Sequence, residues 1–282
     1  MAESIQGEEL GAAEMAAIEA QATQHPYRLR SGAIVHWRRF GKGEPLVLVH
    51  GGHGNWGHWI RNIEALASIR TVWTPDLPGY GDSDDLERGA GFERLVAATL
   101  ESLDGLVGAA TAVDLAGFSF GGMVASTLAC KRPTGKLALV GSAGHGGPRR
   151  PHPALLNWKK ITSAAERRRA FEFNLKAFML HDPRTADALT LTVYEQACSK
   201  ARFRSKGIFP PGALENALGQ SGIAPLLLWG SHDVTAAQPD SFSKALEARG
   251  ISHISATVAN AGHWAQNEKA DEVNSRLLEW FA

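Results

Sequence analysis

The sequence predicts an α/β fold, a mostly parallel sheet wrapped by helices, on three observations. Short apolar runs recur along the chain, at Leu46 to Val49, Thr71 to Trp73, Val113 to Ala116, Leu137 to Val140 and Leu226 to Trp229. Runs of that length, rich in Val and Leu, mark parallel strands covered on both faces. Between them lie longer stretches of helical periodicity, where a parallel sheet needs its crossovers. The composition agrees, because 44% hydrophobic and 21% charged residues over 282 positions can bury a large core and exclude a disordered or fibrous chain.

The elements follow in order. Ile5 to Ala22 is rich in Ala and Glu, with Ile5, Leu10, Met15 and Ile18 at near-helical spacing, so residues 1–24 form a helical extension that docks on the body or on a second copy of the chain. Tyr27 to Arg30 and Ala33 to Phe40 alternate as an opening hairpin, with Ser31-Gly32 as the turn. Phe92 to Val107 carries an apolar stripe through Leu95, Val96, Leu100, Leu103 and Leu106, and Gly121 to Lys131 stops before Pro133. Lys269 to Phe281 closes the chain as a helix, with Val273, Leu277, Leu278 and Phe281 on one face. The strand rhythm stops from Ala143 to about Ala213. Helices are expected there at Pro153 to Lys160, Ser163 to Phe178, Pro183 to Ser199 and Gly212 to Leu218, so residues 144–214 form a helical insertion in a body made of 25–143 and 215–282.

Cys130 and Cys198 offer neither metal-site spacing nor a disulfide framework, and two free thiols in a reducing compartment are expected. The opening MAESIQGEEL has no Lys or Arg and no apolar stretch, and the chain has no run of about 18 apolar residues. A cytoplasmic protein is expected. With 29 Lys+Arg against 29 Asp+Glu, the zero net charge argues against binding nucleic acid or a membrane surface.

The strongest chemical signal is Gly117-Phe118-Ser119-Phe120-Gly121-Gly122, directly after one predicted strand and before a helix. A serine on such a strained turn needs small neighbours, and the turn lifts its hydroxyl above the sheet edge at a helix N-terminus. The hydroxyl becomes a nucleophile only when a base takes its proton. His263 suits that role, on a loop between the strand Ile254 to Val258 and the closing helix. Asp233 runs off the strand Leu226 to Trp229 at the same sheet edge, whereas Gly141 to Gly144, the other position for an acid, holds no carboxylate. A developing oxyanion needs two N–H donors, expected from Phe120 and from Gly52 in the loop His50 to Gly54. His50, His53 and His58 invite a metal reading, but no carboxylate stands at ligand spacing and no metal is expected. Trp56, Phe120 and Trp264 are candidates for touching substrate, with Trp56 and Trp264 assigned to the pocket; Trp59 and Phe118 are read as core.

Four signatures in order, Leu48-Val49-His50-Gly51-Gly52, Asp76 to Ser83, Gly117 to Gly122, and Trp229 to Asp233 with Gly262-His263, resemble the α/β-hydrolase superfamily across nearly all of Tyr27 to Ala282. The order Ser119, Asp233, His263, with spacings of 114 and 30 residues, is that superfamily's. The resemblance implies a mostly parallel sheet of about eight strands, a Ser-His-Asp triad, no cofactor, and a helical cap where the insertion lies. Relatives that dehalogenate or open epoxides use aspartate at the elbow, and Ser119 sets them aside.

Three functions compete. The first is hydrolysis of a small-molecule carboxylic ester, with lactones and amides as sub-cases. Second is hydrolysis of a carbon-carbon bond in an aromatic ring-fission product; relatives of that kind commonly carry a His-Gly-Ser-Gly-Pro-Gly loop and Asn before the serine, where this chain has His50-Gly51-Gly52-His53-Gly54 and Phe118. The third is a ligand receptor that keeps the fold without turnover. The neutral total also hides an asymmetry: residues 144–214 hold thirteen Lys+Arg and five Asp+Glu, and the remainder sixteen and twenty-four. A basic lid over an acidic body attracts anions.

Overall fold

Successive residues of the central strands point to opposite faces of the sheet, and each face has its own core. Leu46 and Leu48, Ala116 and Phe118, Ala138 and Val140, and Leu226 and Leu228 join one buried cluster. Their neighbours Val47 and Val49, Leu115, Leu137 and Leu139, and Leu227 and Trp229 join the other. A strand buried on both sides must be apolar at every position, which is why these segments read as continuous runs. Each fully buried Leu or Val contributes about 1.5–3 kcal/mol.

The computed structural model describes residues 2–282, with side chains from residue 7 onward. Among them eight strands form one sheet: β1 (Thr23–Arg28), β2 (Ile34–Phe40), β3 (Pro45–Val49), β4 (Thr71–Pro75), β5 (Val113–Phe118), β6 (Thr134–Val140), β7 (Leu226–Gly230) and β8 (Ile254–Val258). Their order is β1-β2-β4-β3-β5-β6-β7-β8, with β1 and β2 antiparallel to their neighbours and the rest parallel. The hairpin holds its register, pairing Arg28 with Ile34, but β1 starts earlier than expected and runs through Pro26. That is tolerated because β1 is an edge strand.

The helices are α1 (Ala2–Glu19), α2 (Ile63–Ala67), α3 (Phe92–Val107), α4 (Phe120–Ala129), α5 (Ala164–Asn174), α6 (Ala188–Ser199), α7 (Ala213–Ser221), α8 (Pro239–Ala248), α9 (Ala265–Glu268) and α10 (Ala270–Phe281). None is long and apolar enough to cross a membrane among the described residues. α1 docks on α6 by part of the expected stripe: Met15 is buried and Ile18 packs against the core, whereas Leu10 is 62% exposed and Ile5 lies outside the residues whose side chains are described. Gly11 faces inward in place of Leu10. A Cβ on Gly11 would lie 2.3 Å from the Ala188 carbonyl oxygen, so the missing side chain permits the close approach.

The insertion departs from expectation at its start. Pro153 to Lys160 has no regular structure apart from a single 3₁₀ turn at Trp158–Lys160. Prolines at 148, 151 and 153 withhold backbone N–H groups, and the Asn174 amide occupies both backbone groups of Leu156, at 2.8 and 2.9 Å. α5 ends in a π-helical turn, Leu175–Met179, and Asp187 caps α6 by accepting from the Thr190 N–H at 2.9 Å.

Candidate active site

β5 delivers Ser119 with φ 52° and ψ −117°, a left-handed backbone that a non-glycine residue adopts at a cost. Packing enforces it. A Cβ on Gly117 would sit 2.4 Å from the Gly121 oxygen, and one on Gly121 2.4 Å from the oxygens of His50 and Val49. The Ser119 N–H donates to the Val140 carbonyl at 2.9 Å, so the turn is anchored to β6.

Two loops complete the arrangement. The Oγ of Ser119 lies 3.0 Å from Nε2 of His263, and Nδ1 of that ring lies 3.0 Å from both oxygens of Asp233. Asp233 is fully buried and also accepts the Thr235 N–H and hydroxyl at 2.7 and 2.8 Å. Burial pushes its carboxyl up, but the His263 ring and these bonds outweigh burial and hold it below the ordinary carboxylate range. The carboxylate partner fixes the histidine with Nδ1 protonated and Nε2 facing the serine, the orientation a general base needs.

The loop His50 to Gly54 lies directly over the serine. A Cβ on Gly51 would meet the Ser119 Cβ at 3.2 Å, and one on Gly52 would meet the Phe120 Cβ at 3.7 Å. Gly52 therefore stands next to Phe120, the residue that follows the serine. Two buried histidines brace this loop. Nε2 of His50 accepts the Leu77 N–H at 2.9 Å while its Nδ1 bonds the Gly51 carbonyl at 2.7 Å, and Nδ1 of His58 accepts the Gly51 N–H at 3.1 Å. Burial lowers both pKa values, that of His58 strongly. Their ring nitrogens hold backbone, which explains the local density of histidine, and among the described residues no three His, Cys, Asp or Glu side chains converge as a metal cage.

The two tryptophans assigned to the pocket are elsewhere. Trp56, 2% exposed, packs against Phe40 at 6.3 Å with the Arg38 guanidinium 5.0 Å from its ring. Trp264, 0% exposed, donates its indole N–H to the His58 carbonyl at 2.9 Å. Both are core, with no surface left for a ligand, because the loops carrying them turn their rings inward. Rings from the insertion take their place: Phe178 stands 5.7 Å from His263, and Phe209 stacks on Phe120 at 5.8 Å. No periodicity singled these out, since only the folding of the insertion onto the body brings them here. The Asp76 to Ser83 signature is structural, with Asp76 accepting the Trp56 N–H at 2.8 Å and pairing with Arg38 at 3.1 Å.

An α/β sheet with a serine elbow, an acid and a histidine after its strands β5, β7 and β8 defines a class, and comparison agrees. Residues 46–276 match the Alpha/beta hydrolase family, and the chain belongs to it. It is 30% identical over 266 residues to the dihydrolipoyllysine-residue acetyltransferase component of the acetoin cleaving system of Pseudomonas putida, covering 89% of this chain and 67% of that one. It is 28% identical over 283 residues to 2-hydroxy-6-oxononadienedioate/2-hydroxy-6-oxononatrienedioate hydrolase 1 of Dechloromonas aromatica (strain RCB), covering 92% and 96%. Carboxylesterase CesB of Bacillus subtilis shares the fold with a TM-score of 0.77 at 17% identity, over 100% of this chain and 99% of that one.

Proposed function

We propose that this chain is a serine hydrolase that cleaves a carboxylic ester through an acyl-enzyme on Ser119, beneath a cap formed by residues 144–214. The named relatives differ in reaction, so the reading is carried by one observation, the unbroken hydrogen-bonded run from Asp233 through His263 to Ser119. His263 takes the hydroxyl proton at Nε2 as Oγ bonds the carbonyl carbon, and Asp233 stabilises the imidazolium. The carbonyl oxygen becomes an oxyanion received by the Phe120 and Gly52 N–H groups, each donor contributing about 3 kcal/mol. Collapse breaks the ester C–O bond, and the alkoxide leaves with the proton from His263. Water, deprotonated by the same ring, then releases the acid and restores Ser119. A lactone or amide would pass through the same steps.

Ser119→Ala tests this. The variant should fold and lose turnover on a reactive p-nitrophenyl ester by roughly 10⁶-fold, and an unchanged rate refutes the mechanism.

The Dechloromonas relative favours a second reading, hydrolysis of a carbon-carbon bond in a ring-fission product. Turnover of a dienoate without turnover of aryl esters would replace the first reading with this one. Failure of a fluorophosphonate to label Ser119 would instead favour a receptor.

A further inference from the structure

We propose that Glu268 is a positioning residue that fastens the loop carrying His263 to the cap, so that seating the cap and aligning the histidine are one event. The inference rests on the triad reading above. Glu268 closes α9, is 8% exposed, and has no Lys or Arg partner among the described residues. Its carboxylate instead accepts three backbone N–H groups. Gly262, immediately before the histidine, donates to Oε2 at 2.7 Å. On the cap, His181 donates to both oxygens at 2.9 and 3.0 Å, and Asp182 to Oε1 at 2.6 Å.

The histidine is gripped from its other side as well, because the Trp264 N–H donates to the Met179 carbonyl at 2.8 Å. Both neighbours of His263 are therefore tied to the cap segment 179–182. No slack lies between the two segments: a Cβ on Gly262 would fall 2.7 Å from the His181 nitrogen and 2.8 Å from the Met179 oxygen. α9 makes a second tie to the cap through Asn267, whose Nδ2 donates to Thr190 Oγ1 at 3.1 Å, and a tie to the body where Asn62 Nδ2 donates to the Gln266 carbonyl at 2.9 Å.

Hydrogen bonds to a carboxylate are roughly twice as strong as neutral ones, and a buried carboxylate stripped of its donors is costly. The cap segment therefore cannot leave without stripping Glu268, and Glu268 holds the residue next to His263. The 3.0 Å contact between Nε2 and Oγ tolerates little error, since a misplacement of about 1 Å costs on the order of 10²-fold in rate.

Glu268→Gln is isosteric but turns an NH₂ group toward the N–H donors. Its kcat on a p-nitrophenyl ester should fall roughly 30-fold with KM within about twofold of wild type. The rate at which a fluorophosphonate labels Ser119 should fall in parallel, and Glu268→Asp, which keeps the charge, should recover part of both. Labelling reports the alignment of His263 without a chosen substrate, so a wild-type protein that labels but hydrolyses no ester defeats the ester reading and leaves this test standing. Wild-type kcat and labelling in Glu268→Gln overturn the proposal, as do losses that only follow a lowered Tm and vanish on cooling. Should Glu268→Gln not fold, labelling of Glu268→Asp decides: slowed labelling in a folded variant supports the proposal and an unchanged rate overturns it. A wild-type protein that neither hydrolyses nor labels overturns both readings.

Discussion

Gly141 faces the Asp233–His263 pair so closely that a Cβ there would lie 3.0 Å from Asp233 Oδ2 and 3.2 Å from His263 Nδ1. Its φ of 51° is left-handed as well. Gly141→Ala should cost about 1–2 kcal/mol through backbone strain and, by pushing the histidine aside, about 10²-fold in kcat/KM. Urea unfolding beside ester kinetics separates the two, and an unchanged kcat/KM in a folded variant contradicts the argument.

Stability should decline on mild acidification. Burial holds His50 and His58 below the ordinary value of 6.5, with neighbouring histidines adding to the effect at His58. A base depressed in the folded state binds its proton more readily when unfolded. Its contribution is therefore complete above about pH 6.5 and lost as pH falls below it, by up to about 1.4 kcal/mol per pH unit for each histidine. Asp233, held low, loses its contribution only below the carboxylate range, so the two windows separate. His58→Gln should reduce the slope of the upper one and leave the His50 part, and a level wild-type profile between pH 7.5 and 5 would exclude the effect.

The charge asymmetry of residues 144–214, thirteen basic against five acidic residues, should appear in kinetics. Lys159 and Lys206 both act on His53, which burial and these two ammonium groups hold below its ordinary pKa, so positive potential reaches the loop His50 to Gly54. kcat/KM for a dicarboxylic half-ester should fall more steeply between 20 and 500 mM salt, roughly tenfold, than for a neutral ester of equal length. Equal slopes would remove steering from the account.

α1 bridges two parts of the chain, with Gly11 against α6 and Glu19 paired with Arg38 of β2. Gly11→Leu must push the helices apart and should destabilise the protein by about 1–3 kcal/mol. Hydrogen exchange in α6 should rise while β5 and β6 stay protected; exchange rising equally everywhere would show that α1 supports the whole fold instead.

Much of the body was legible because its signals are local. Each buried strand needs apolar residues in succession, and the serine turn needs Gly117 and Gly121 where their Cβ atoms would collide with backbone. Ser119, Asp233 and His263 could be selected because each lies within five residues of the C-terminal end of a parallel strand of one sheet, and the ends of such strands share an edge. The expected helix at Pro153 to Lys160 failed for the opposite reason, since a distant amide, Asn174, claims the backbone of Leu156. Trp56 and Trp264 failed because sequence places a residue on a loop without giving the direction of its ring.

The sequence by itself determined the sheet, the serine elbow and the three residues that meet there, because strand periodicity and turn chemistry act over a few neighbouring positions. Only the tertiary structure decided which side chains surround them. Phe178 and Phe209 reach the site, Gly141 leaves room for the Asp233–His263 pair, and Glu268 ties the histidine loop to the cap, each through contacts between segments far apart in the chain, whose pairing no local pattern encodes.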